Sequence, residues 1–217
     1  MKNIKSQIIL TISLILVGLV ALQIPFTRLL GANVKFTLFD FVAPTFGAFI
    51  NTLPGVLVVL FIQLVNIAIH GISNVGVANI IRLFPILFGV FYFSQKRSVN
   101  VIIPILAIIA FNLHPIGRSA WQYSLMWFIP IAAHIFRKNL YIRSLGATFT
   151  AHAVGGALWV WAFGLTKEMW LALLPQSLME RAVMAGGITV SYLLISKAIA
   201  FFKLYRRKVQ LSPANHS

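Results

Sequence analysis

The sequence predicts an all-α, polytopic integral membrane protein. It reads as a bundle of six to eight transmembrane helices with both termini cytoplasmic. Three observations carry this. Of 217 residues, 59% are hydrophobic and 10% are charged, against about 25% charged in a soluble domain, so too few polar residues exist to cover a water-facing surface. The apolar residues form continuous runs rather than the alternation of a membrane β-barrel. Backbone polar groups in lipid must be satisfied within the segment, so these runs should be helices. Finally, 18 Lys and Arg stand against only Asp40, Glu168 and Glu180. The basic residues fall between the runs, as in cytoplasmic loops, which points to lipid rather than nucleic acid as the partner.

A crossing needs roughly 20 apolar residues for about 30 Å of hydrocarbon. Ile8–Leu30 is the first run. Lys2 and Lys5 precede it as in a signal peptide, but Gly18–Gln23 offers a poor small-residue cleavage site, so it reads as a retained span. Phe41–Ile50 and Gly55–Ile69 are shorter runs split by Asn51-Thr52-Leu53-Pro54-Gly55, a Pro/Gly-broken hairpin near 41–69 that is either spanning or re-entrant. Asn79–Ser94, Val99–Leu113, Ser119–Phe136, Ile142–Gly164 and Leu178–Phe202 follow. Residues 1–203 read as one transmembrane domain and 204–217 as a basic cytoplasmic tail. The clusters Lys2/Lys5, Lys96/Arg97, Arg137/Lys138/Arg143 and Lys203/Arg206/Arg207/Lys208 are all expected inside, which makes the crossings between them even in number. The expected location is the cell membrane.

Enzyme signatures are missing. Cysteine is absent, so thiol catalysis and Cys-ligated zinc drop out. No Walker A sequence and no HExxH occur, and Gly117-Arg118-Ser119-Ala120-Trp121 is not the G-x-S-x-G of a nucleophile elbow. Three acidic residues are few for a carboxylate metal site. Neither enzyme activity, nor a metal, nor a cofactor is expected.

Polar residues inside apolar runs are costly in lipid and normally face the protein interior. Thr148, His152 and Gly156 are spaced by four, with Trp159 one turn on, so they share a helix face. That face is either a cavity wall, with His152 bonding a ligand, or a contact in which His152 bonds a neighbouring helix. Ala147, Ala151 and Gly155 form a small-xxx-small seam beside it. Ala43, Gly47, Asn51 and Gly55 repeat that spacing in the hairpin, and Ala182 and Gly186 in the last run. Ser177-x-x-Glu180 before an apolar run reads as a capping box, a structural role for Glu180.

On the expected outer side, Asp40 precedes the hairpin, and Gln63, Asn66 and His70 share a helix face. Asn74, Asn79 and Arg82 follow, while Asn112, His114, Arg118, Trp121, Gln122 and Tyr123 surround a later turn. Such a mixture of rings, amides and cations suits a small planar solute, neutral or anionic, and Arg118 could pair with a carboxylate or phosphate. The same residues also suit solvated loops and the headgroup belt.

Phe39-Asp40-Phe41-Val42-Ala43-Pro44-Thr45-Phe46-Gly47-Ala48-Phe49-Ile50, followed by Pro54-Gly55-Val56-Leu57-Val58-Val59, resembles the substrate-binding (S) components of energy-coupling factor transporters. Ala151-His152-Ala153-Val154-Gly155-Gly156 and the Glu180-Arg181 helix share that family's look. The resemblance implies capture of a vitamin-like micronutrient from outside. The solute is then handed inward with a transmembrane coupling subunit driven by two ATPases. It also implies a pocket built from the loop around Asp40 and the outer ends of later helices, including Trp121, His152 and Trp159.

The candidate solute-binding residues are therefore Asp40, Asn66, His70, Arg118, Trp121, His152 and Trp159. The candidate helix-packing residues are Gly47, Ala147, Ala151, Gly155 and Gly186. Two other functions compete with solute uptake: a membrane scaffold that binds partners through its small-residue seams, and an intramembrane enzyme acting on a lipid-linked substrate. A scaffold should lack a pocket and turn its seams to lipid. An enzyme should bring two titratable groups within hydrogen-bond reach.

Overall fold

The computed structural model describes residues 4–28, 35–70, 76–95 and 98–211. Lys2, Asn74, Lys96 and Arg97, on which part of the sequence argument rests, lie outside these residues, as do 29–30 of the expected first run and 212–217 of the tail.

The fold is all-α apart from one small hairpin. α1 (Ile4–Leu22) buries only Leu14, Gly18 and Ala21, a narrow stripe, and exposes Ile8, Ile12, Leu16 and Val20. An exposed apolar face of this kind suits lipid, not water. The helix ends at Leu22, well short of the expected Leu30, because Pro25 cannot continue it. The chain turns back instead as an antiparallel pair, β1 (Pro25–Arg28) and β2 (Lys35–Thr37).

A short apolar helical stretch covers Phe39–Ile50. It comprises α2 (Phe39–Val42), a 3₁₀ turn over Ala43–Thr45 entered at Pro44, and α3 (Phe46–Ile50). The hairpin break is one residue, Asn51, at φ 76°. Its ψ of 159° places it outside the left-handed helical basin that Asn tolerates, in a region otherwise left to glycine, so the turn is held under strain. Pro54 and Gly55, expected in the turn, lie in the first turn of α4 (Thr52–His70), where a missing N–H costs nothing. Gly55 is needed there for closeness. A Cβ on it would stand 2.5 Å from the Gly47 backbone, so α3 and α4 touch through two glycines.

α5 (Val77–Ser94) returns beside α4, and Gln63 Nε2 donates to Leu83 O at 3.3 Å. The Asn51 turn shares a polar groove with Ser94 and Gln95. One end of the molecule therefore holds the Asn51 turn and Gln95. The other holds Asp40, His70 and Asn79.

α6 (Val99–Leu113) matches its expected bounds. The run expected over Ser119–Phe136 is instead broken into α7 (Pro115–Ser119), α8 (Trp121–Ser124), a 3₁₀ turn over Leu125–Phe128 and α9 (Ile129–Ile135). Prolines open the first and last of these helices, at Pro115 and Pro130, where their fixed φ and absent N–H fit a helix start.

α10 (Leu140–Ala162) is the central helix. Its 23 residues make it about 35 Å long at 1.5 Å per residue. Ala147, Phe149, Thr150, Ala153 and Gly156 are all buried, since α5, α6, α9 and α12 surround it. Enclosure by protein explains why this helix can carry Thr and His where lipid-facing helices carry Leu and Ile.

α11 (Lys167–Ala172) is capped by Thr166, whose hydroxyl accepts from Met169 N at 3.4 Å. α12 (Leu174–Leu211) runs 38 residues unbroken, continuing through the segment expected as a tail as far as Leu211. Its early start removes the expected capping box. Ser177 is already helical, its N–H donating to Leu173 O, and its hydroxyl lies 3.0 Å from that of Tyr123.

Among the described residues, four helices are long and apolar enough to cross a bilayer: α1, α4, α5 and the Leu174–Tyr205 part of α12. At the Gln95 end a buried polar cluster closes off α5. Arg137 Nη2 donates to the carbonyls of Tyr92 and Phe93, both at 3.2 Å. Asn100 Nδ2 donates to Tyr92 O and, at 2.7 Å, to Gln95 O. The Tyr92 hydroxyl donates to Pro130 O at 2.6 Å. The Arg137 and Asn100 bonds satisfy carbonyls that the C-terminus of α5 leaves orphaned.

Candidate functional site

At the Asp40 end, the helices part around a cavity of about 760 Å³. One wall is the α10 face foreseen from spacing, with Thr148, His152, Gly156 and Trp159 all lining it. Facing it are Gln63, Asn66 and His70 from α4, with Asn79 and Arg82 from α5. α12 adds Gln176, Ser177, Glu180 and Arg181; α11 adds Met169 and Trp170. Phe36, Thr37 and Asp40 come from the β-hairpin and α2. Thus the cavity gathers side chains from at least seven elements spread along the chain.

The local geometry follows from the elements. Asp40 lies just after β2, and its Oδ2 accepts from Thr37 N at 2.8 Å, so the carboxylate is pinned by the turn that delivers it. His152 Nε2 lies 3.1 Å from the Tyr123 hydroxyl, which lies 3.0 Å from Ser177 Oγ. This chain ties α10, α8 and α12 together at the cavity wall. Tyr123 also packs edge-on against Trp170, with ring centroids 4.8 Å apart. Trp159 stacks on Phe163 at 4.2 Å.

Charges cluster on the α5–α12 side. Glu180 accepts from Gln176 Nε2 at 2.7 Å and faces Arg181 Nη2 at 3.6 Å. The Phe36 ring lies between two guanidiniums, 4.9 Å from that of Arg181 and 5.9 Å from that of Arg82. Beyond the spans, the exposed Glu168 carboxylate is held below its usual range by its own backbone N–H and by the Thr166 hydroxyl. Among the described residues, no group of three His, Asp or Glu is close enough to hold a metal ion.

Five of the seven candidate binding residues, Asp40, Asn66, His70, His152 and Trp159, line the cavity. Asn66 accepts from Gln23 Nε2 at 3.0 Å, and its carbonyl lies 2.9 Å from His70 Nδ1. Arg118 and Trp121 stand elsewhere: Arg118 is exposed on α7 with its Nε donating to Asn112 O at 3.4 Å, and Trp121 is exposed on α8. The loop break after Leu113 carries both to the outside of the bundle.

The packing candidates divide similarly. Ala147, Ala151 and Gly155 turn inward to α5: a Cβ at Gly155 would be 3.3 Å from Pro85, and one at Gly89 would be 3.6 Å from Ala151. Gly47 meets Gly55. At Gly186, however, an added Cβ would meet nothing within 4 Å, whereas at Gly187 it would be 2.6 Å from the Phe41 ring. The close approach in α12 is therefore one residue later than the spacing suggested.

Glu180 is the main residue that sequence spacing misassigned, and the same spacing gives Arg181 beside it no role of its own. The Ser-x-x-Glu pattern suggested a cap, but two charges just inside an apolar run also signal a buried site. Phe36, Trp170 and Gln176 had no local signal at all. No protein-family model, curated protein or solved structure compared with this chain matches it.

Proposed function

We propose that this protein is a membrane uptake component that binds a small, vitamin-like solute, and that separate partner subunits energise it. The supporting observation is the cavity of about 760 Å³, within the range of about 300–1,000 Å³ usual for small-molecule sites. It is lined mainly by apolar and aromatic side chains, with a few polar and charged groups to fix orientation. No covalent chemistry is assigned to it. The resemblance to S components of energy-coupling factor transporters supplies the transport half of the reading. The missing P-loop fits a chain whose energy comes from separate ATPases.

In this reading the chain makes eight passes: α1, Phe39–Ile50, α4, α5, α6, α7–α9 together, α10 and α12. The Gln95 end, with Arg137 and Arg143, faces the cytoplasm. The cavity then opens to the outside, and both termini are inside.

Native mass spectrometry of the gently purified full chain tests the proposal. A co-purifying small molecule is the expected result. A stably retained protein subunit with no small molecule would favour a scaffold instead. That alternative is weakened by the seams, since Ala147, Ala151 and Gly155 pack internally. An intramembrane enzyme draws on one observation, the Ser177–Tyr123–His152 chain. It requires that His152→Ala abolish turnover of a lipid-linked substrate, not merely loosen a solute.

A further inference from the structure

Arg181 is only 5% exposed, yet it is poorly bonded. Its Nη2 is 3.6 Å from Glu180 and its Nη1 is 3.5 Å from the Thr148 hydroxyl. A charge-assisted N–H···O bond is normally about 2.7–2.9 Å. Its Nε has no hydrogen-bond partner among the described residues. A guanidinium has five donors and no acceptor, so this is a deficit of acceptors.

Trp170, 3% exposed, repeats the deficit. Its Nε1 also has no partner among the described residues. Both side chains line the cavity, and Tyr123 joins them: its ring packs on Trp170, and its hydroxyl bonds Ser177, one helical turn before Arg181. The nearby carboxylates do not close the deficit: Asp40 accepts from Thr37 N, and Glu180, which accepts from Gln176, approaches Arg181 only to 3.6 Å. An underbonded buried cation is strongly unfavourable unless an anion completes it.

We propose that the cavity's solute carries an oxyanion, a carboxylate or a phosphate, that seats on Arg181 with Trp170 Nε1 as a second donor. Its ring system packs among the surrounding aromatic side chains. This rests on reading the cavity as a solute site. The planar fork of the guanidinium matches two oxygens of such a group, and the rings of Phe36, Tyr123 and Trp159 supply flat apolar wall.

The test is calorimetric titration of the full chain in detergent with indole-3-acetate, its neutral amide indole-3-acetamide, and indoxyl phosphate. At least one anion should bind tenfold or more tightly than the amide, and whichever binds better identifies carboxylate or phosphate. Arg181→Gln should cut anion affinity at least tenfold and leave amide affinity unchanged; Arg181→Lys should restore part of it. Glu180→Gln, which removes a competing acceptor without removing the cation, should tighten anion binding about threefold. Equal binding of amide and anions, no binding of either anion, or weaker anion binding in Glu180→Gln would overturn the proposal. A neutral molecule co-purifying with the wild-type chain would overturn it too while leaving solute uptake standing.

Discussion

His152 combines two placements that its spacing offers as alternatives, the cavity wall and a contact with a neighbouring helix. It lines the cavity and also bonds Tyr123. Because Tyr123 keeps Ser177 as a partner, His152→Ala should lower solute affinity about tenfold, the loss of one good hydrogen bond. Thermal unfolding of the apo protein should barely move, and unchanged binding would remove His152 from the site. Arg137 presents the opposite case. It does not line the cavity but bonds two carbonyls at the end of α5. Arg137→Ala should cost about 2 kcal/mol, as for hydrogen bonds to charged groups. The readout is a lower unfolding temperature with solute affinity retained.

At the level of elements, the adjacent glycines of α12 make a matched pair. Gly187→Ala would press a methyl against the Phe41 ring, and overpacking of this kind costs about 1–3 kcal/mol. Gly186→Ala meets open space and should be neutral or gain up to about 1 kcal/mol from helix propensity. Thermal melts of the two variants should therefore move in opposite directions or differ clearly. Much at this scale was legible in advance. α6 has the bounds its apolar run suggests, and the hairpin breaks at Asn51, the first residue of the segment expected to split it. Errors came where a local signal had two meanings. Pro54 reads as a turn former but sits as comfortably in a first helical turn. Ser177 and Glu180 have capping spacing, yet α12 begins at Leu174, so both lie within the helix. The Ser119–Phe136 run is apolar enough for one helix, and only its prolines hint at the fragments observed.

Across the whole molecule, hydropathy singles out the helices long and apolar enough to cross a bilayer and understates α10, which the bundle encloses. α10 is long enough to span but is surrounded, so its face could be spent on Thr148, His152 and the small-residue seam. The cavity itself was half legible. Periodicity put four α10 residues on one face, but no pattern in the chain tells that Phe36, Trp170 and Gln176 converge on them from elsewhere. The proposed orientation can be checked directly because the chain has no cysteine. Gly164→Cys and Ser98→Cys place single thiols at exposed positions. A membrane-impermeant maleimide added to intact cells should label position 164 and spare position 98; the reverse pattern would invert the topology. Finally, α12 is a single rod with Arg181 near one end and Leu211 thirty residues further on, about 45 Å away along the axis. In the proposed uptake reading, such a rod would act as a lever. Any slight swing that a solute imposes at Arg181 is enlarged at the far tip, where a coupling machine could sense a loaded pocket without touching it. Spin labels near Leu211 should shift with solute if this holds and stay fixed if the rod bends instead.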